Sequence, residues 1–322
     1  MTAPSLPAIA LALSLAACAR GPATDRELDD YRALRGELVH VELDASTPRG
    51  RYVTQRIRLT SSSGVVGRGI LTRPATDNGC FAAALLEDGR EENSGVSRRL
   101  PADFGDVVVL SLDYPDEIPY VIRLRDAALH GEVLERASRR VPAIFSLGAA
   151  YLAQRDDVDS TRIALAATSF AVPFAAIAAA MDERFRNVVF VYGAGDLPSV
   201  LAANLRDVPG LMRRPAAALA MQPFAAFAPE RFVDRIAPRP LVMVNGVDDP
   251  QMPAEAVRRL YDSAHEPKSL VWLRTGHLMP TDSLLIRALI DTAFARLPVL
   301  RDTTSAPRCR RSARATSIGR RE

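Results

Sequence analysis

RIALAATSFAVPFAAIAAAM, residues 162–181, is the stretch that decides the fold of this 322-residue chain. Ile163–Ala167 is a short, wholly apolar run, which is typical of a strand buried on both faces. Ala171–Met181 is apolar, rich in alanine and long enough for a buried helix. A strand that turns into a helix so abruptly holds its central residue on a tight corner. We therefore expect the Ser169 hydroxyl to project from the sheet beside the N–H of Phe170 at a helix N-terminus.

The pentapeptide Ala167–Ala171 follows the logic of a nucleophile elbow, G-x-S-x-G, with alanine in place of both glycines. Side chains at the glycine positions approach the neighbouring strand and helix, and alanine is the smallest departure from glycine. The same residues also suit an ordinary serine in a strand-to-helix turn. The rest of the chain has to decide between the two interpretations.

Composition predicts one large domain. With 48% apolar residues, the chain can bury one large core, and a domain of about 270 residues is consistent with an α/β fold. The net charge is +3, but the basic tail, residues 301–322, carries seven arginines against Asp302 and Glu322 and so holds +5 by itself. The net positive charge of the chain comes from this tail, which we expect to be disordered. The charge therefore predicts no nucleic-acid-binding surface.

The N-terminal 18 residues are typical of an export signal. Leu6–Ala17 is apolar but too short to span a bilayer, and small residues precede Cys18. This pattern resembles a bacterial lipoprotein signal, which implies lipid on Cys18 and an exported, membrane-anchored protein. Ordinary export and a cytoplasmic helix remain the alternatives. Residues 19–50 are interpreted as a linker and a first strand.

The other two cysteines predict no special chemistry. Cys80 precedes a predicted strand and Cys309 lies in the tail. Neither has metal-ligand spacing, and we expect no disulfide framework and no metal site.

Residues 51–300 are predicted to form the main domain. Alternating segments before residue 73 indicate an antiparallel start to a sheet. Apolar strands then alternate with helices, which predicts a mostly parallel central sheet with helices on both faces. Residues 197–235 are rich in alanine and broken by proline, and we expect them to form a small helical insertion over the site.

Three residues suited to catalysis follow predicted strands in the order Ser169, Asp249, His277. The carboxyl ends of parallel strands meet at one edge of a sheet, where ligand sites form. A serine hydroxyl is a poor nucleophile until an imidazole can take its proton, and a carboxylate fixes the tautomer of that imidazole. The chain order is that of the α/β-hydrolase triad.

The chain resembles the α/β-hydrolase superfamily over about Arg51–Leu297, most closely its dienelactone hydrolase and acyl-peptidase-like branch. The resemblance is carried by RIAL before the elbow, by APRPLVMVNG at 237–246 leading into VDDP, and by LVWL at 270–273 leading into Gly276-His277. It implies an α/β-hydrolase fold and a triad of Ser169, His277 and Asp249 that works without a metal or organic cofactor.

The resemblance also selects the acid. In this branch the acid stands three residues after the glycine of its loop, here Gly246, which implies Asp249. Asp248 should point away from the site. Asp196, after the preceding strand, is the fallback acid.

The oxyanion hole is where the sequence departs most from the family. The resemblance implies backbone N–H donors from Phe170 and Arg90, and less directly from Gly89. The family's His-Gly pair is replaced here by Glu87-Asp88, in a loop that we expect to face solvent. These carboxylates should either turn outward, paired with Arg90, or oppose the developing oxyanion and slow the reaction.

The remaining histidines are predicted to be structural. His40 lies in an early strand, His130 lies near a helix start, and His265 lies at a helix C-terminus that favours a partly charged ring.

The sequence therefore predicts an exported serine hydrolase, most simply a carboxylesterase-like enzyme acting on a small-molecule ester or acyl substrate. A hydrolase-fold binding lipoprotein without activity is one alternative. An acyltransferase or thioesterase using the same triad is the other.

Overall fold

The computed structural model describes residues 21–76, 79–89, 105–119, 124–277, 283–296 and Cys309. The predicted signal segment 1–18, Arg90 and nearly all of the basic tail lie outside these residues. The strands are β1 Leu38–Leu43, β2 Thr47–Arg49, β3 Tyr52–Ser61, β4 Val66–Pro74, β5 Phe81–Glu87, β6 Val107–Leu112, β7 Val158–Thr168, β8 Asn187–Val191, β9 Leu241–Gly246 and β10 Lys268–Leu273.

Seven α-helices are described: α1 Asp25–Arg35, α2 Leu124–Gln154, α3 Val172–Met181, α4 Leu197–Asn204, α5 Gly210–Ala220, α6 Ala254–Ser263 and α7 Ser283–Ala295. Non-helical backbone at His130 breaks α2. Short 3-10 helices occupy Ser169–Ala171, Gln222–Phe227, Pro229–Arg231 and Val233–Ile236.

The described strands form one sheet in the order β1-β3-β4-β6-β5-β7-β8-β9-β10, with β2 paired to β3. Pairing is antiparallel from β1 to β6 and parallel from β6 through β10. The predicted mostly parallel sheet with an antiparallel start is confirmed. Its parallel strands place their carboxyl ends at one edge, where the loops after β7, β9 and β10 meet.

Apolar side chains are buried on both faces of the sheet. Ala83, Leu85 and Leu110 belong to the main core, whereas Ala84 and Val109 belong to a smaller cluster. Successive side chains of a strand point to opposite faces, so this division follows directly from the alternation. The continuous apolar runs of β5 and β6 are those of strands covered on both sides.

The elbow helix α3 is almost entirely buried. Four of its alanines, at positions 175, 176, 178 and 179, are wholly inaccessible to solvent, and their small size lets the helix lie close to the sheet and to its neighbours. Its C-terminal end is held by Arg239, whose guanidinium donates to the carbonyl oxygens of Ala179, Asp182 and Phe185. The bonds to Ala179 and Asp182 satisfy carbonyls that a helix end leaves without partners.

Residues 197–235 form the expected helical insertion, made of α4, α5 and three 3-10 helices. Its C-terminal end is clamped to the N-terminal helix α1. The Arg231 guanidinium, 6% exposed, donates to the Glu27 carboxylate at 2.7 Å and to the Gly21 carbonyl oxygen at 2.9 Å. Other parts of the insertion are exposed, and Leu211 on α5 is 91% exposed.

A disulfide joins Cys80 and Cys309. The expectation of no disulfide was wrong, because 229 residues separate the two cysteines and only the fold brings them together. The bond ties one residue of the tail to the entry of the central strand β5. Among the described residues, no helix combines the length and the apolar character that crossing a membrane requires.

Candidate active site

Ser169 lies at the sharp corner between β7 and α3. Its φ is +52°, in the left-handed region that residues with side chains rarely adopt. The flanking Ala167 and Ala171 are wholly buried, so larger side chains could not be accommodated at the two positions where G-x-S-x-G carries glycine. The elbow geometry predicted from the sequence is therefore present with alanine at both positions.

The structure brings Ser169, His277 and Asp249 together. Ser169 Oγ lies 3.3 Å from His277 Nε2, and His277 Nδ1 lies 2.6 Å from Asp249 Oδ2. Asp249 follows β9 and His277 follows β10, and these neighbouring parallel strands end side by side. The contacts expected from the sequence are present: Ser169 contacts His277, and His277 contacts Asp249.

Asp249 is held on both oxygens. Its Oδ2 faces the imidazole, while Oδ1 accepts hydrogen bonds from the N–H groups of Gln251 at 2.7 Å and Met252 at 3.3 Å. Its side chain is closed to solvent. A carboxylate held in this way can fix the imidazole tautomer in which Nδ1 carries hydrogen and Nε2 faces the serine.

The other two aspartates considered from the sequence have different positions. Asp248 is exposed, as expected. Asp196 caps α4, accepts a hydrogen bond from the Ser199 hydroxyl at 2.7 Å and lies 3.7 Å from Arg259. These contacts give the fallback acid a structural role at the start of the insertion.

The imidazole of His277 packs against a residue that sequence reasoning missed. The ring centroids of Tyr192 and His277 are 4.7 Å apart, and Tyr192 is wholly buried directly after β8. Its φ of +54° is unusual for a residue with a side chain. The only signal in the sequence was its place after an apolar strand, before Gly193.

The predicted oxyanion donors are described only in part. Phe170 follows Ser169, so its N–H lies at the start of the elbow helix, where the helix dipole favours negative charge. Gly89 is the last described residue of its loop, and Arg90 lies outside the described residues. The Tyr114 hydroxyl donates to the Asp88 carbonyl oxygen at 2.7 Å, and its ring packs edge-on against Phe170 at 5.4 Å. Tyr114 thus links the loop after β5 to the elbow.

The expectation that Glu87 belongs to a solvent-facing loop was wrong. Glu87 is the last residue of β5, is 1% exposed and shares by alternation the face of Ala83 and Leu85. Its carboxyl accepts the Leu112 N–H at 3.1 Å, where the β5–β6 ladder has ended. Burial raises the pKa of the Glu87 carboxyl well above 4.5; the Leu112 hydrogen bond opposes this shift, and the nearby Asp113 and Asp88 add to it. The neutral acid is favoured there.

A cavity of about 390 Å³ opens beside the serine. Ser169 and Phe170 form one side, and residues of α2, α3, the loop after β8, the insertion and the loop after β9 form the rest. Its described lining contains no Asp, Glu, Lys, Arg or His. Three rings, Phe170, Phe174 and Phe227, stack edge-to-face along it, with successive centroids 5.4 and 5.8 Å apart.

The remaining histidines lie in contexts that agree with structural roles. His40 is exposed and 3.4 Å from Glu42, His130 lies at the break in α2, and His265 is exposed after α6. Within the described part of the chain, no group of three or more His, Cys, Asp or Glu side chains could hold a metal ion.

Comparisons of the sequence with protein-family models and with curated proteins give no match. Solved structures do match the fold. Acetyl xylan esterase 1 from Thermoanaerobacterium sp. superposes with a TM-score of 0.64 at 17% identity, covering 84% of this chain and 95% of that one. Acetyl xylan esterase from Paenibacillus sp. R4 gives a TM-score of 0.62 at 17% identity, with the same coverages.

An α/β hydrolase from Penicillium sp. sh18 also matches, with a TM-score of 0.51 at 17% identity over 75% of this chain and 99% of that one. At identities this low, the structural superpositions establish a shared fold only. The sheet order, the elbow and these neighbours agree with one another: the chain has the α/β-hydrolase fold.

Proposed function

We propose that this chain, which has the α/β-hydrolase fold, is a serine hydrolase that cleaves carboxylic esters through an acyl-enzyme on Ser169. One observation carries the proposal. A buried carboxylate, an imidazole and a serine hydroxyl on a strained corner contact one another in series, at 2.6 and 3.3 Å. The esterases among the structural neighbours support the same class of substrate.

The proposed reaction uses each contact. His277 Nε2 accepts the Ser169 proton as Oγ attacks the ester carbonyl carbon, and Asp249 stabilises the resulting imidazolium. The Phe170 N–H faces the oxygen that becomes negative. The C–O bond to the alcohol then breaks, and the alcohol leaves with the proton from Nε2. Water, deprotonated by the same nitrogen, then attacks the acyl-enzyme. The bond between the carbonyl carbon and Ser169 Oγ breaks, Oγ takes the proton back from Nε2, and the acid is released. The 3.3 Å distance between Ser169 Oγ and His277 Nε2 should shorten when substrate binds.

Labelling with a fluorophosphonate probe tests the proposal directly. The wild-type protein should be labelled, and Ser169→Ala should not. Ser263→Ala is the control, because Ser263 lies on α6 and outside the cavity lining, and it should be labelled like the wild type. Absence of labelling that depends on Ser169 would overturn the proposal and favour the binding-lipoprotein alternative.

We also propose that the protein is exported and carries lipid on Cys18. The Cys80–Cys309 disulfide supports export alone, because disulfides persist in oxidising compartments and are rare in the cytosol. In cell fractions, the wild type should partition with membranes and Cys18→Ser should not. A Cys309→Ser variant controls for loss of any cysteine and should stay with the membranes. An equal soluble distribution of the wild type and Cys18→Ser would remove the lipid proposal and leave the hydrolase proposal untouched.

A further inference from the structure

The cavity beside Ser169 is too large and too apolar for an acetyl group alone. Its volume of about 390 Å³ lies within the range of pockets that enclose drug-sized ligands. Phe174, Phe227 and Leu201 are among the residues that line it. A two-carbon acyl group would leave most of this apolar wall in contact with water, and binding would lose the favourable burial of apolar surface.

The position of the cavity identifies the part of the substrate that enters it. In the proposed reaction the leaving oxygen takes its proton from His277, so the alcohol departs on the side of the imidazole. The developing oxyanion faces the Phe170 N–H. The cavity touches Ser169 and Phe170, whereas His277 is not among its lining residues. The remaining substituent of the carbonyl carbon, the acyl chain, is the one directed into the cavity.

The lining also limits the charge of that group. Among its described residues the polar side chains are Ser138, Ser169, Asn204 and Gln251. The Asn204 amide is engaged, since it donates to the carbonyl oxygens of Val200 at 2.7 Å and Gln251 at 3.0 Å. With no cation or anion in the described lining, a charged acyl group would lose its hydration without gaining an ionic partner.

We infer that the substrate is an ester whose acyl group is bulky, apolar and uncharged. This group is a medium-length aliphatic chain or an aromatic group of roughly six to ten carbons. This inference rests on the proposed function and deepens it. It separates the chain from the two acetyl xylan esterases that share its fold, whose names specify an acetyl group.

Two series of esters test the inference. In p-nitrophenyl esters from acetate to decanoate, with benzoate as the aromatic member, kcat/KM should rise about three- to fourfold for each methylene that the cavity buries. Hexanoate should therefore exceed acetate on the order of a hundredfold. Acetates of increasingly long alcohols should show no comparable rise. A maximum at acetate, or a rise confined to the alcohol series, would overturn the assignment of this cavity to the acyl group.

A variant that fills the cavity sharpens this test. Leu201→Trp should lower the hexanoate-to-acetate ratio of kcat/KM by about tenfold or more, because the added ring occupies the acyl space. Leu211→Trp is the matched control, since Leu211 lies on α5 of the same insertion, is 91% exposed and lies outside the lining. Its ratio should equal that of the wild type. An unchanged ratio in a folded Leu201→Trp protein would contradict the inference.

A binding measurement separates this inference from the proposed catalysis. Calorimetry with the Ser169→Ala protein should detect octanamide at concentrations where acetamide shows no binding, and Leu201→Trp introduced into the same protein should weaken octanamide binding. If no ester is hydrolysed but octanamide binds selectively, the hydrolase proposal fails and the acyl cavity stands. If esters are hydrolysed but octanamide has no advantage over acetamide, the opposite holds.

Discussion

Ser169 stands between a strand and a helix that are mostly buried, whereas the cavity beside it is walled in part by short helices with exposed residues. Ala175 and Ala178 behind the serine have no exposed surface, while Leu211 in the insertion is 91% exposed. The reacting groups follow strands of one continuous sheet. Several cavity residues, in contrast, belong to the insertion, which is clamped at its C-terminal end through Arg231.

This difference separates two tasks. The proposed chemistry needs fixed distances between three side chains, and the ends of packed strands can hold them. The acyl group needs only an apolar space of suitable size. Short helices can provide that space without the close packing found around Ser169. We therefore expect substitutions in the elbow region to change rate or stability strongly. Substitutions in the insertion should mainly change the choice of substrate.

The largest expected effect is on the rate of hydrolysis, through a residue of the site that follows a strand. Asp249→Asn keeps the shape of the side chain but removes the carboxylate that fixes the His277 tautomer. Hydrolysis should fall on the order of 10⁴-fold, measured as kcat at saturating ester. Asp196→Asn is the control and should remain within a small factor of the wild type. If Asp196→Asn were the more damaging of the two, the assignment of the acid would be reversed.

The next effect compares packing in the two regions. Ala178→Leu in α3 places additional atoms in a wholly buried position, and should lower the free energy of unfolding by about 2 kcal/mol. Ala218→Leu in α5 adds the same atoms beside an open surface pocket, and should change it by less than about 0.5 kcal/mol. Urea unfolding of both variants measures the difference. Equal losses of stability would show that the insertion is as tightly packed as the elbow.

A smaller effect concerns the loop after β5. Tyr114→Phe removes the hydroxyl that donates to the Asp88 carbonyl oxygen, and should loosen a loop that carries predicted oxyanion donors. We expect kcat to fall about fivefold, corresponding to about 1 kcal/mol, with KM nearly unchanged. Tyr52→Phe is the matched control, since it removes a similar hydroxyl-to-carbonyl bond, to Gly105. An unchanged kcat for Tyr114→Phe would show that this bond does not position the loop.

The last expected effect is that of Glu87 on the free energy of unfolding, which is near zero at low pH and grows as the pH rises. The buried Glu87 carboxyl keeps its proton in the folded state to a pH well above 4.5, whereas in the unfolded chain it ionises near that value. Above about pH 4.5 the folded state therefore binds more protons than the unfolded state, and this group lowers stability as pH rises towards its folded pKa. Glu87→Gln cannot ionise, so its stability relative to the wild type should increase as pH rises from 4 to 8.

Thermal unfolding across this pH range measures the Glu87 effect. Glu183→Gln is the control, because Glu183 is exposed, and its curve should run parallel to that of the wild type. Parallel curves for Glu87→Gln and the wild type would contradict a neutral Glu87 in the folded protein.

Hydrophobic patterning accounts for most of what could be predicted from the sequence. The apolar runs that correspond to β5 to β9 are continuous, whereas a strand with one face in solvent alternates apolar and polar residues. Their burial could therefore be predicted from the sequence. The corner at Ser169 followed from the short distance between an apolar strand and an apolar helix. Choosing Asp249 over Asp196 depended on the resemblance to a family, because both follow strands.

The features that escaped prediction depend on single residues meeting across the fold. Glu87 ends an apolar run and resembles the start of a loop, but its backbone continues the ladder opposite Ala167 of β7, and its carboxyl accepts the Leu112 N–H. Tyr192 and Tyr114 gain their roles from rings and carbonyl groups that are distant in sequence. Cys80 and Cys309 form a pair through the folded domain, and no local spacing records that proximity.

The clamp between the insertion and the N-terminal residues has a consequence for orientation at a membrane. Arg231 binds the Gly21 carbonyl oxygen, and Arg235 binds the Ala23 carbonyl oxygen at 3.0 Å. If Cys18 carries the lipid that we propose, three residue steps, about 11 Å of extended chain, separate it from this anchored point. So short a tether holds the Arg231–Arg235 end of the insertion close to the bilayer surface. The domain would then work close to the membrane surface rather than at the end of a long stalk.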